Sequence, residues 1–217
     1  SCATGPALEG AQIAFGMRAA AGAIEREEID AENKEPRYKV IGQETWYPEL
    51  KFTGAQGICG SGIIDVVAAL YTAGIISKAG RINGRLETPR VRKDENGRLE
   101  YVLAWAEETA IHKDITIKQG DIRAVQLAKG AIYTGAKYLM EKYGIEQVEE
   151  VILAGAFGSY INKQSALTLG LFPDCDLDNV KAVGNAAGVQ DLRPQGAGHH
   201  TTLIPNLDKL QAAVHGE

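Results

Sequence analysis

VEEVILAGAFG, residues 148–158, reads as a buried strand running directly into a glycine turn. Glycine at the carboxyl end of a strand permits positive φ and brings the main chain against a ligand without a Cβ in the way. Before it, residues 119–143 form the clearest helix of the chain. Ile122, Val125, Ala128, Ile132, Ala136, Leu139 and Tyr143 share one face there at spacings of three and four. Asp121 falls in its first turn, where the helix dipole favours a negative charge, and Gly144 ends it. After the strand come a second helix near residues 163–169 and a short strand at 180–183 that runs into GNAAG, 184–188. This alternation, with antiparallel-looking strands upstream of it, predicts an α/β domain with a mixed sheet covered by helices.

Further upstream, the Gly- and Ala-rich residues 1–24 read as a close-packed turn followed by a short helix at roughly 10–20. Residues 24–29 and 38–41 are strand candidates around a turn-like 31–37. GAQGICGSG, 54–62, is a glycine-rich loop feeding an apolar helix over 63–73, with Gly74 as its C-cap. Residues 77–113 are polar and irregular; they predict a hairpin, 87–92 with 98–104 about the turn 94–97, carried as a surface insertion. Residues 114–117 resemble a short strand, 189–205 a loop and 206–214 a closing helix.

The chain has 217 residues, 45% of them hydrophobic, which suits one large domain or a domain with a small lobe. A net charge of -5 argues against non-specific nucleic-acid binding, which needs basic surface. It leaves nucleotide binding open, because backbone N–H groups alone can hold a phosphate. Cys2, Cys59 and Cys175 are far apart and form no CxxC, so neither a disulfide framework nor a metal cluster is expected from this chain alone. Reduced thiols in a cytoplasmic protein are the expectation. No apolar run reaches membrane-spanning length and no signal-peptide pattern is present. Ser1 in place of Met, leading straight into the Gly/Ala-rich segment, reads as a cut from a longer polypeptide.

Three glycine-rich turns carry the functional argument: GICGSG at 57–62, AGAFG at 154–158 and GNAAG at 184–188. Two lie at the carboxyl ends of expected strands, the edge where open α/β sheets bind ligands. The helix after GICGSG would also direct its first N–H groups at an anion. Each turn alone is explained as well by tight packing; the three together point to a nucleotide site. None is a Walker A loop or a Rossmann GxGxxG turn.

VILAGAFGSYIN resembles the adenosine-binding turn of the superfamily of actin, sugar kinases and the ATPase domain of heat-shock chaperones. SCATGPALEGAQIAFGMRAAAGAIE, GICGSGIIDVVAALYTAGII, DIRAVQLAKGAIYTGAKYL, VILAGAFGSYIN and AVGNAAG resemble, in that order, the C-terminal region of the ATP-dependent reductive activators of corrinoid proteins. The likeness covers most of residues 1–188. It implies a ribonuclease H-like mixed sheet with flanking helices, the C-terminal lobe of an actin-like ATPase domain, with an insertion at about 77–113. ATP with Mg²⁺ would lie between this lobe and an N-terminal one, and a 2Fe–2S cluster would sit in a separate ferredoxin-like domain. Such an activator returns an inactive Co(II) corrinoid protein to Co(I) in support of methyl transfer. The implied partners are therefore a corrinoid (cobalamin-containing) protein and the missing lobe and ferredoxin domain. A homodimer is compatible with this reading; nucleic acid and membrane are not partners.

Carried over by position, Gly155, Ala156, Phe157 and Gly158 would wrap the adenosine, with Gly184 and Asn185 beside them. Gly60, Ser61 and Gly62 would lie near the ribose or phosphates, and Gly5, Pro6 and Glu9 at the exit of the second phosphate hairpin. Glu9 is a candidate for orienting water or metal, against the alternatives of a surface salt bridge or a helix-start carboxylate. The DxGT-like hairpins of the superfamily are absent from this sequence, so no catalytic residue or metal ligand is assigned and the chain by itself is expected to hydrolyse little ATP. After GNAAG the sequence GVQDLRPQGAGHH departs from the family's Ala-rich helix. The alternatives are a small-molecule kinase, an activator of 2-hydroxyacyl-CoA dehydratases, and a non-catalytic binding or dimerisation module. Lesser features read as structural: His199 and His200 in a solvated loop, isolated His112 and His215, the acidic turn of Asp174, Asp176 and Asp178, and Cys59 as a packed thiol. Trp46, Tyr47, Tyr101 and Trp105 are either a partner-facing patch or, for at least two of them, core.

Overall fold

AIEREEI builds the first strand, β1 (Ala23–Ile29), from two buried apolar residues followed by charges. It pairs antiparallel with β2 (Pro36–Val40) and parallel with β3 (Gly57–Ile58), giving the order β2-β1-β3. The connection between β1 and β2 is set by Asp30, whose carboxylate accepts from the amides of Glu32 and Asn33. In β2 burial alternates, with Pro36, Tyr38 and Val40 inward. The computed structural model describes residues 12–155, 158 and 160–183. These fall into two compact units, 12–129 and 130–183.

Within the first unit, α1 (Gly60–Thr72) packs its buried residues on β1. Gly74, at φ 72°, follows its end. Residues 12–20, expected as part of a helix, are turns instead. The reason is long-range pairing: Met17 N donates to Ile58 O at 2.9 Å and Ile58 N to Phe15 O at 2.8 Å, so this segment lies along β3. Gly57 permits that approach, since a Cβ there would meet Phe15 O at 2.5 Å. Asp121 ties the segment to the start of α2 (Gln119–Tyr143), accepting from Ala14 N at 2.8 Å and Lys118 N at 2.7 Å.

The second sheet runs β4-β5-β6, all antiparallel: β4 (Val91–Lys93), β5 (Leu99–Ala104) and β6 (Ile115–Lys118). The hairpin about 94–97 is present, with a shorter first strand than expected. The surface character expected of 77–113 does not hold for Tyr101, Val102, Leu103 and Ala104, which are all buried. They occupy the central strand of the sheet, and a middle strand covered on both faces shows no alternation. Of the four aromatic candidates only Tyr101 is buried, and Trp46, Tyr47 and Trp105 are half-buried; Tyr38 stacks on Tyr47 at 4.8 Å, and Arg90 lies 4.9 Å over Trp105.

The second unit holds the end of α2, then β7 (Val151–Leu153), α3 (Lys163–Leu169) and β8 (Val180–Ala182). Along α2, Ile122, Val125 and Ala128 are buried as the periodicity predicts, whereas Tyr143 is 67% exposed. Ile132, Ala136 and Leu139 are half-buried, and Tyr143 is the last helical residue. Asn162 caps α3, its side chain accepting from the amides of Gln164 and Ser165, and Gly170 closes it at φ 65°. Asn162→Ala should weaken this helix by about 1 kcal/mol; amide exchange at Gln164 and Ser165 should speed up roughly fivefold, and unchanged rates would remove the cap from the account. No described helix is long and apolar enough to cross a membrane.

Candidate functional site

In the second unit the strand register decides the site. β7 and β8 are parallel, Val151 opposite Val180, Ile152 opposite Lys181 and Leu153 opposite Ala182. Parallel strands end at the same edge, and Val183 N donating to Leu153 O at 3.1 Å extends the pairing past the last strand residues. The chain therefore leaves β7 at Ala154–Gly155 and β8 at Val183 side by side, at the edge where α/β sheets present ligand-binding turns.

Gly155 has φ +101°, a conformation that side chains rarely adopt, and a Cβ there would meet nothing within 4 Å among the described residues. The turn thus has a backbone conformation that favours glycine. Gly158 is buried, and its missing Cβ is accounted for differently: it would lie 3.0 Å from Leu153 Cβ and 3.1 Å from Leu153 C and O. Glycine at 158 lets the chain fold back on the end of β7. Ala156, Phe157, Gly184 and Asn185 lie outside the described residues, as do Gly5, Pro6, Glu9, Cys2, His199, His200 and His215.

Gly60, Ser61 and Gly62 belong to the first unit, at the start of α1. Gly62 faces inward: a Cβ would sit 2.2 Å from Ile24 O and 3.1 Å from Ile58 Cγ2. Ser61 is buried with its hydroxyl 3.2 Å from Cys59 Sγ, and Cys59 donates from both its amide and its thiol to Ile24 O, at 3.1 and 3.3 Å. Gly60 alone of the three is half exposed. Cys59 is therefore a packed thiol bonded to β1, and it caps α1 without a side-chain hydrogen bond.

Cys175 is half buried, and burial, followed by the charges of Asp176 and Asp174, raises its thiol pKa and disfavours the reactive thiolate. His112 is exposed at φ 52°. Among the described residues no group of three His, Cys, Asp or Glu side chains could hold a metal ion. A buried acidic pair escaped the sequence reading: Glu27 on β1 and Asp65 on α1 are 6% and 1% exposed. The readable signal was an aspartate inside the apolar run IIDVVAAL, which is out of place on a core-facing helix.

A family model described as the C-terminal domain of RACo, the ASKHA domain, matches residues 1–192. The chain is 43% identical over 196 residues to the corrinoid activation enzyme RamQ of Eubacterium limosum, covering 87% of this chain and 31% of that protein. It is 28% identical over 188 residues to the [Co(II) methylated amine-specific corrinoid protein] reductase of Methanosarcina barkeri, covering 80% of this chain and 30% of that one. Among solved structures it resembles a reductive activator for corrinoid, iron-sulfur protein, with TM-score 0.75 and 40% identity over 86% of this chain and 28% of that one. The chain spans under a third of the length of the relatives it matches.

Proposed function

Because the chain belongs to the family of RACo C-terminal ASKHA domains, we propose that it is the nucleotide-binding lobe of an ATP-dependent reductive activator that returns Co(II) corrinoid protein to Co(I). The observation that carries the reading is the match across residues 1–192, in a chain whose turn after β7 places Gly155 at positive φ. The relatives are named as activators or reductases of corrinoid proteins, which supports a corrinoid protein as partner.

In this reading Gly155 and the residues just after β8 form one wall of the adenosine pocket. The resemblance would assign Ala156, Phe157, Gly184 and Asn185 to the same adenosine site. Mg²⁺ bound with ATP would neutralise phosphate charge. In an intact activator of this kind the electron would come from a 2Fe–2S cluster held by a separate ferredoxin-like domain and would take Co(II) to Co(I). Nucleotide helps an unfavourable electron transfer only if the nucleotide-bound and free states differ in their affinity for the corrinoid partner. This lobe's part is to convert occupancy of the β7–β8 edge into that difference.

Calorimetric titration of the intact activator with ATP tests the site. Gly155→Trp fills the open space beside the turn and should weaken ATP at least about tenfold, roughly 1.4 kcal/mol, with the fold retained by circular dichroism. Equal affinity in parent and variant would remove Gly155 from the pocket. Co(II) reduction assayed with the same variant should fall in step with ATP occupancy and recover at saturating ATP.

A further inference from the structure

Glu27 lies where a carboxylate is costly to keep charged. It is 6% exposed, and both its side-chain oxygens are enclosed and accept no hydrogen bond among the described residues. Asp65, 1% exposed, faces the same region from α1, with Arg26 Nη1 3.6 Å from its carboxylate. Among the described residues the other surrounding charged and titratable groups are Arg26, Tyr38, Tyr101 and Arg90. Arg26 neighbours Glu27 on β1, and Tyr38 sits opposite it on β2 with its hydroxyl donating to Glu108. Tyr101 on β5 donates to Lys34 O. Arg90, from the segment before β4, gives its guanidinium N–H groups to Glu35, the Tyr47 hydroxyl and the carbonyls of Val102 and Leu103. Arg90 therefore supplies Glu27 with some field and no hydrogen bond.

Burying an ionised carboxylate without partners is far less favourable than burying the neutral acid. Burial first, then the charge of Asp65, holds Glu27 well above the usual carboxylate range, against the opposing pull of Arg90. The same region is a joint. α1 reaches β1 through Gly62 against Ile24 O and through Cys59, whose amide and thiol both donate to that carbonyl.

We propose that Glu27 is a proton-operated fastener of the joint between β1 and α1: the joint is closed while Glu27 carries its proton and loosens when that proton passes to solvent. The folded chain then holds a proton that the unfolded chain has already lost. Stability is full below the ordinary glutamate range, falls as pH rises from there to the raised value of the folded state, and is level beyond it. Acid strengthens this joint, the reverse of a salt-bridged carboxylate. Asp121, raised by burial, acts in the same sense at another place, so the Glu27 contribution must be separated by substitution.

Cys59 reports the joint directly, because its thiol is buried and bonded across it. The purified protein is labelled with methyl methanethiosulfonate, the Cys59 peptide is followed by mass spectrometry, and its rate is divided by that of the unfolded chain at the same pH. The ratio cancels the titration of the thiol itself. Protection in the parent should fall by up to about tenfold per pH unit as pH rises above the ordinary glutamate range. In Glu27→Gln, which keeps shape and removes the charge, the slope should be nearly flat and protection at about pH 7 higher than in the parent. Equal slopes in the two proteins, or a flat parent, would overturn the proposal. If the variant does not fold, the carboxyl carbon resonance of Glu27 in the parent decides: a midpoint well above the ordinary range supports the fastener, and an ordinary midpoint overturns it.

Discussion

Gly62→Ala is expected to destabilise the first unit by about 3 kcal/mol, at the upper end of what one added methyl usually costs in a packed interior. The new Cβ would sit 2.2 Å from Ile24 O and 3.1 Å from the Ile24 carbonyl carbon. Both are backbone atoms, so no rotamer change relieves the clash. The carbonyl is also held in place: Ile24 O accepts from the amide and thiol of Cys59, and β1 is paired on both sides. Relief requires α1 to move off β1, which uncovers Ile63, Ile64, Val66 and Val67. Gly130→Ala is the control. Gly130 is exposed on α2 with open space at its Cβ position, and that substitution should stabilise by about 0.5–1 kcal/mol through helix propensity. Urea midpoints of the two variants should shift in opposite directions; a Gly62→Ala midpoint within experimental error of the parent would show that the helix–strand contact is looser than the geometry states.

Gly62 also shows where a sequence stops being informative. GICGSG before an apolar helix is equally the mark of a phosphate-facing turn and of a close helix–strand contact. Only the position of Ile24 O distinguishes them for Gly62, and Ile24 lies 35 residues before Cys59 in no local pattern that could be read. Gly155 is different. A buried aliphatic strand ending on glycine already implies a left-handed residue, and φ +101° is a local property of that turn. The extents of α2 and α3 were legible for the same reason, since periodicity and a closing glycine such as Gly144 act within a few residues. What escaped was tertiary. The small residues before Ala20 serve a backbone pairing with β3 rather than a helix. The polar flanks of β5 concealed a strand buried on both faces, and the burial of Glu27, Asp65 and Arg90 was not read from the sequence.

Arg90→Ala should cost about 3 kcal/mol, the second large effect, and for an electrostatic reason. Arg90 is 1% exposed, an unusual place for a guanidinium. Burial opposes its charge, and the hydrogen bonds and charge of Glu35, with Tyr47, more than offset that. Its Nε and Nη2 donate to the same Glu35 oxygen at 3.0 and 2.7 Å, Nη2 also to the Tyr47 hydroxyl at 3.2 Å, and Nη1 to the carbonyls of Leu103 and Val102 at 3.3 and 3.4 Å. The plane lies over Trp105 at 4.9 Å. One side chain thus joins the turn after β1, the segment before β4 and the buried strand β5. Truncation strands two inward carbonyls and empties the space beneath Trp105, whereas Glu35, 44% exposed, recovers much of its solvation, which keeps the loss below the extreme for a buried pair. Arg90→Lys retains the charge but cannot span Glu35, Tyr47 and the β5 carbonyls with one fork, so it should recover less than half of the loss. Arg90→Met fills the volume without donors and should fall between alanine and lysine. Urea midpoints should therefore rank parent, lysine, methionine, alanine, and Trp105 fluorescence should shift most in the alanine variant. If lysine matched the parent, a point charge would be sufficient, and the geometry of the fork would not be what holds the two sheets' connecting segments together.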